Sequence, residues 1–509
     1  MGVDYEIAAS HAAGRDAAGV RRKRLQSRLG EAGSWRAAAR TISRSETTFR
    51  AAAARDFVPL FRSRELTGFV DQALDQNLDI GAAVARIEQA DAQARVSSAA
   101  LWPSLSVNNI AQTNRTPGTV LVPTSGAGGL TPASSDALAT SDFQAVSFGF
   151  FQLGLTASYE IDFWGKIQDA SSAARLLANA SRFDRDVVEI TTIAAVLNAY
   201  FQTLAARDRL RIARDNVRIA TEVFETIKLR FGVGTATGMD VAQQQAILAD
   251  QRASIPPLEQ NLQQTENLLA VLLGRAPEDL LLEGGSLAKL AVPAVAPGLP
   301  SEVLLRRPDI ARAEARLASQ EFSVLRARAA FFPSITLTGL YGLQSALLKN
   351  LLRPEAVAWQ FGSEVAQPLF DGYALQGQYE LQKGRYQELA TLYRKQILSA
   401  LTDVENALVA ARETERQVML QVESVTAWRR AYATALARLR EGTIDTVTLA
   451  ITQTSLFQSQ DRLAQARLAR FRAATSLYQA LGGGWSPTTR DIEIAQANSV
   501  YEAEKGPWP

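Results

Sequence analysis

The sequence contains no cysteine and a single histidine among 509 residues. The first absence excludes disulfides, thiolate metal sites and cysteine nucleophiles, and it suits an oxidising compartment. The second leaves His11 alone in a polar, Ala/Arg-rich stretch. It is read there as solvated surface, and most zinc sites and imidazole catalysis are excluded with it. Neither sign of charge is in excess: 54 Lys and Arg face 52 Asp and Glu, a formal net charge of +2. Nothing in that balance points to nucleic acid as a partner. No uninterrupted apolar run approaches the ~18–20 residues of a membrane helix. The first thirty residues lack the apolar centre of a secretory leader and carry a basic knot, Arg21-Arg22-Lys23-Arg24, instead. These absences alone would read as a cytosolic chain. No reactive constellation, metal site or cofactor motif is found either, and acid–base pairs along the helices read as surface ion pairs. A non-enzymatic protein without cofactors is therefore expected.

What the chain does contain is a repeat. Asp79-Ile80, Arg86, Ala99-Ala100 and Pro103-Ser104 recur as Asp309-Ile310, Arg316, Ala329-Ala330 and Pro333-Ser334, each offset by 230. Farther along, Asn198-Ala199, Gly234-Thr235, Gln245, Leu248 and Leu273-Gly274 recur as Asn406-Ala407, Gly442-Thr443, Gln453, Leu456 and Leu481-Gly482, each offset by 208. Two constant offsets describe a duplication in which the first copy carries 230 less 208, or 22, extra residues. They fall between Pro103 and Asn198, and the Thr/Ser/Gly/Pro-rich stretch from Thr113 to Ser141 reads as the longer loop. Its Ser125-Gly126-Ala127-Gly128-Gly129 lacks the Lys-Ser/Thr and the helix of a phosphate cradle, so it reads as plain loop.

Each copy has one plan: helix, strand, loop, strand, very long helix, tight turn, helix. The expected boundaries are a lead at 1–56, repeat 1 at 57–281, repeat 2 at 282–484 and a tail at 485–509. Strands are expected at 103–112 and 148–162, then at 333–344 and 359–370. In 148–162, Leu153, Leu155, Ala157, Tyr159 and Ile161 alternate with Gly154, Thr156, Ser158 and Glu160, a period of two with one apolar face. About ten residues suffice to cross a bilayer in a tilted strand. A soluble antiparallel sheet would share these features.

The long helices are expected at 166–231 and 373–440. From Leu375 to Leu439 an apolar or small stripe covers 64 residues in 18 steps, about 3.56 per step, between a straight helix and a coiled coil. At ~1.5 Å per residue each helix is roughly 100 Å long. Tips at 232–237 and 441–444, each with a glycine, lead into return helices at 238–274 and 445–481. Four amphipathic strands cannot close a barrel, and an open sheet edge in lipid leaves backbone groups unpaired. Several copies must therefore share one wall: two copies would give eight strands and three would give twelve.

At this point the residues resemble a known family. Gly298 to Leu317 (Gly-Leu-Pro-Ser-Glu-Val-Leu-Leu-Arg-Arg-Pro-Asp-Ile-Ala-Arg-Ala-Glu-Ala-Arg-Leu), Ala329 to Gly339, Gln367-Pro-Leu-Phe-Asp-Gly372, and Ile255-Pro-Pro-Leu-Glu259 leading to Leu272-Leu-Gly274 are similar to hallmarks of outer-membrane efflux proteins. The branch it resembles is the NodT-type lipoproteins of the TolC/OprM-like superfamily, over about Phe57 to Gly484. The resemblance implies a mainly α fold with β: a TolC-like, internally duplicated chain. Its helical hairpins would build a periplasmic α-barrel, and four strands per chain would build a twelve-stranded transmembrane β-barrel in a homotrimer. It implies a passive outer-membrane duct for small-molecule efflux, joined by a periplasmic adaptor protein to an inner-membrane pump of the RND type. The exit channel of a type I protein secretion system is the alternative, and a soluble coiled-coil scaffold is a third reading.

Carried over residue by residue, the adaptor-contact tips fall on Gly234, Thr235, Gly442 and Thr443. Asp240 keeps the acidic residue six positions after the first tip glycine. The acidic place nine positions after the second glycine holds Ile451, near Thr448, so the charged gate ring of relatives is altered. Asp445 has two readings, a substitute gate charge or the cap of the helix that starts there. Phe148, Phe150, Phe151, Phe163 and Trp164 are candidates for a membrane-interface belt, or for packing against a neighbouring chain. The opening Met1-Gly2-Val3-Asp4-Tyr5-Glu6 resembles the mature start of such lipoproteins without their lipid-bearing cysteine or leader. The natural export signals are expected upstream of it.

Overall fold

The computed structural model of the protein describes residues 57–116, 146–280, 282, 283, 285–293 and 306–485. The expected lead at 1–56, nearly all of the Thr113–Ser141 loop, and the tail beyond Trp485 lie outside these residues. After a 3-10 turn at Val58–Phe61 come α1 (Arg64–Gln76), α2 (Leu78–Ala99), β1 (Ser104–Thr116), β2 (Val146–Ile161) and α3 (Lys166–Gly232). Then follow α4 (Gly238–Ala253), α5 (Ile255–Leu272), α6 (Pro308–Ala329), β3 (Ser334–Ser345), β4 (Val357–Ala366), α7 (Ala374–Arg440) and α8 (Thr446–Ala480).

Proline punctuates the two helix-to-strand changes. Pro103 and Pro333 keep the preceding residue out of helical geometry and remove a donor, so α2 and α6 stop short of them and strands begin one residue later. Proline also corrects one expectation. The return helix foreseen as a single piece over 238–274 is two helices that meet at Ser254. Pro256 and Pro257 occupy the first turn of α5, where their missing N–H groups cost least.

The four strands form one antiparallel sheet in the order β1-β2-β3-β4. Strands β2 and β3 belong to different repeats, yet they pair from Phe151 with Ser345 to Ile161 with Ile335. The compact units therefore do not follow the repeats. One unit comprises 88–179 and 315–391; the other comprises residues up to 87 together with 180–314 and 392 onward. Pairing across the repeats explains this mixing, because each repeat contributes half of the same sheet.

In the second unit the core joins the start of the chain to both long helical hairpins. Phe57, Phe61, Leu66, Ile193, Leu197, Phe201, Leu204, Leu269, Leu273, Phe471 and Tyr478 are all buried there. Phe57 stacks on Tyr478 with ring centroids 4.5 Å apart, and Phe61 meets Phe201 at 5.0 Å. Helix α3 is apolar enough over one 18-residue stretch to pass for a membrane span by composition, with a mean hydropathy of 1.3. More than half of that stretch is buried within the chain itself.

Behind this core, Arg307 is buried at the mouth of α6. It holds Asp309 at 2.7 Å and Asp403 at 3.2 Å, and donates to the Ala480 carbonyl at 3.1 Å. A single guanidinium thus ties the start of α6 to α7 and to the last turn of α8.

Candidate functional site

The sheet sorts its side chains by chemistry, row by row. Val107 lies opposite Leu155, Leu155 opposite Tyr341, and Tyr341 opposite Trp359. The neighbouring row on the same face runs through Leu105, Ala157, Gly339 and Phe361. Leu105, Val107, Leu155, Tyr341, Trp359 and Phe361 are all exposed, Trp359 at 76%. The opposite face carries Ser106, Asn108, Thr156, Gln152, Thr338, Gln344 and Gln360. There the Asn108 amide donates to Thr156 Oγ1 at 2.8 Å, and the Gln344 amide donates to Gln152 Oε1 at 3.0 Å. An exposed apolar face cannot rest in water over this area, whereas hydrocarbon accepts it. The polar face suits a wet passage.

The belt candidates fall into two groups along β2. Phe148 and Phe150, opposite Asn114 and Gln112, share the polar face with Gln152, whereas Phe151, opposite Ala111, lies on the apolar face with Leu155. Phe163 and Trp164 follow its other end, where Trp164 stacks on Phe332 at 4.6 Å and donates to the Pro333 carbonyl at 2.8 Å. The eleven residues from Phe151 to Ile161, ten steps, span roughly 33 Å of strand, enough to cross a hydrocarbon layer when tilted. Trp102, Phe331 and Phe370 are exposed at the same end as Trp164.

The two helical tips are built alike. Gly234 takes φ +79° and Gly442 φ +75°. Thr235 N–H donates to the Arg230 carbonyl at 2.8 Å and Gly234 N–H to the Phe231 carbonyl at 3.0 Å. Thr443 and Gly442 repeat the pair on Arg438 at 2.9 Å and Leu439 at 3.0 Å. This six-to-one and five-to-two bonding closes a helix around a left-handed residue, which is why glycine stands there. A Cβ placed on Gly234 or Gly442 would meet nothing within 4 Å, so both turns offer open backbone.

Each return helix is capped by an acidic or hydroxyl side chain. Thr237 caps α4 in a reciprocal box with Asp240, whose carboxylate accepts from Thr237 N at 2.8 Å. Asp445 caps α8, accepting from Thr448 N at 2.9 Å. Its carboxyl is held below the ordinary range first by the Thr448 side chain and then by the Thr448 N–H. Thr448 and Ile451 are exposed one turn apart on α8.

Thr446 and Arg230 join the hairpins. Thr446 donates its hydroxyl to Asp240, and Arg230 donates to the Leu439 carbonyl at 2.5 Å. The bond from Thr446, then those from Thr237, hold the Asp240 carboxyl below its ordinary pKa. Around them Val223, Ile227, Ala435, Leu439 and Leu449 form a small apolar cluster. Among the described residues no group of His, Cys, Asp and Glu could hold a metal ion.

Against protein families, residues 69–275 and 299–483 match the model described as outer membrane efflux protein. The chain belongs to the outer membrane efflux protein family. Pyoverdine export outer membrane protein OpmQ of Pseudomonas putida is 37% identical, over 84% of this chain and 88% of that protein. The toluene efflux pump outer membrane protein TtgC of the same species is 29% identical, over 89% of each chain. Among solved structures, the outer-membrane channel OprN superposes with a TM-score of 0.77 at 26% identity, covering 87% of this chain and 95% of its own. This efflux protein thus shares the TolC-like channel fold, and its role is that of an outer-membrane channel in a tripartite efflux system.

Proposed function

We propose that the protein works as a homotrimer whose three sheets close a twelve-stranded barrel, with its helical hairpins reaching into the periplasm. One observation carries this reading. The described sheet has four strands, is apolar on one face in register, and ends in two unpaired edges, β1 and β4. Lipid does not tolerate such edges, so β1 of one copy pairs with β4 of the next until the wall closes. Three copies reach twelve strands, within the range of known outer-membrane barrels.

Transport then involves no chemistry in this chain. A periplasmic adaptor grips the open glycine turns at Gly234-Thr235 and Gly442-Thr443, and an inner-membrane pump of the RND type supplies the energy. A partner opens the tips only by binding the open state better than the closed one. Two relatives aligned over most of this chain are named for pyoverdine and for toluene, so the duct serves unlike cargoes and the pump selects among them. The cargo proposed for this chain is accordingly a small molecule.

The test is the mass and conductance of the detergent-extracted outer-membrane fraction. Three chains of 55.2 kDa in one particle, forming pores in a planar bilayer, are expected. A stable monomer without conductance would overturn the reading.

A further inference from the structure

Beside the junction of helix and strand, a cleft of about 340 Å³ is lined by Arg95, Ser98 and Ala99 of α2, by Trp102, and by Arg175 of α3. We infer that this cleft binds the phosphate headgroup of an anionic phospholipid in the periplasmic leaflet of the outer membrane. The inference rests on the membrane-spanning reading of the sheet given above.

Its place along the chain comes first. Trp102 stands two residues before β1, and it is 76% exposed. The other strands meet their helices at the same end, where Trp164, Phe332 and Phe370 are also exposed or stacked. Indole and phenyl rings gather where hydrocarbon gives way to headgroups, which sets the depth of the cleft. Arg95 lies seven residues up α2 from Trp102 and Arg175 nine residues into α3. Each is therefore within roughly 10–15 Å of the strand ends. Long arginine side chains reach across that interval to the interface.

The chemistry of the lining comes second. Among the described residues neither Arg95 nor Arg175 makes a hydrogen bond or an ion pair. Two unpaired guanidiniums beside one indole match the phosphodiester of a lipid headgroup. Ser98, bonded to Ser171 at 2.7 Å, fixes the floor.

The second repeat supplies an internal control. The position equivalent to Arg95 is Leu325, and that equivalent to Arg175 is Lys383, whose ammonium lies 5.4 Å from the Tyr379 ring centre. The paired cations thus occur in the first repeat alone, which gives one lipid per chain.

Native mass spectrometry of the full-length assembly in detergent tests this, with dioleoyl-phosphatidylglycerol and dioleoyl-phosphatidylcholine as probes. Phosphatidylglycerol is expected to bind more tightly, and Arg95→Gln with Arg175→Gln to weaken it by about 25-fold, roughly fivefold per arginine. Arg95→Lys with Arg175→Lys is expected to keep most of the preference. Equal binding of both lipids, or unchanged phosphatidylglycerol binding in the double Gln variant, overturns the site. Displacement of the lipid by excess inorganic phosphate overturns the lipid as its occupant. A chain that never enters the outer membrane fails the broader reading instead, and fractionation tells the two failures apart.

Discussion

Arg230, in the last turn of the first long helix, donates a hydrogen bond to the backbone carbonyl of Leu439 in the last turn of the second, 2.5 Å away. The contact places a cation at the negative end of α7, where it also satisfies a carbonyl near the helix terminus. With Thr446 on Asp240, it makes the tip a two-point link between hairpins. Arg230→Ala combined with Thr446→Val should loosen that link without touching the sheet. Planar-bilayer recordings should show a raised closed-state leak, with trimer mass unchanged, and Thr446→Ser should restore most of the closure.

The same link has a pH signature. The Asp240 carboxyl is held below its ordinary 3.8, first by Thr446 and then by Thr237. A depressed carboxylate stabilises the fold above its unfolded pKa and loses that contribution as pH falls through the folded pKa. Leak should therefore stay flat from neutral pH to about pH 5 and rise only in the acid range below the ordinary carboxylate value. Asp240→Asn should abolish the rise. A transition near neutral pH would contradict the assignment.

Asp445 caps α8 through its bond from Thr448 N–H. Asp445→Ala should speed hydrogen exchange in the first turn of α8, at Thr446 to Leu449, while closed-state leak and cation preference stay unchanged. Asp445→Ser, which retains a capping oxygen, should behave as the parent. A lost cation preference in the alanine variant would instead mark Asp445 as a gate charge.

On the sheet, Trp359 and Gln360 are sequence neighbours on opposite faces. Trp359→Lys puts a charge on the exposed apolar face at a cost of about 2–4 kcal/mol near the middle of a bilayer. It should reduce the trimer recovered in the outer-membrane fraction. Gln360→Lys should leave recovery intact and alter ion selectivity. Equal recovery of both variants would mean the faces are assigned the wrong way round.

Arg307 is the strongest single packing test. Its removal leaves the Ala480 carbonyl and Asp309 without their buried partner, at a cost on the order of 3 kcal/mol. Arg307→Ala should lower the thermal unfolding midpoint followed by circular dichroism. Arg307→Lys should recover little, since one ammonium cannot reach two carboxylates and a carbonyl at once.

The sequence carried the architecture further than the contacts. Strand alternation at Leu153 to Ile161 and the glycine tips are local signals, and local signals are readable in one chain. The links at the tip are not local: Arg230 and Leu439 are separated by 209 residues and Asp240 and Thr446 by 206. No periodicity announces them. The break at Ser254 was legible in Pro256 and Pro257, but helical periodicity on both sides masked it. The mixed units are not legible in the repeat, which suggests two separate halves, whereas a sheet rewards pairing β2 with β3.

That pairing bears on how such a chain arose. A single-repeat forerunner, bringing two strands and one hairpin, could close the same wall only as six identical copies. Fusing two copies fixes which hairpin neighbours which, and it frees each to drift. Leu325 and Arg95 have already parted company across the two halves. Once fused, the ring presents alternating faces, so a partner that grips every hairpin must tolerate two kinds of seat.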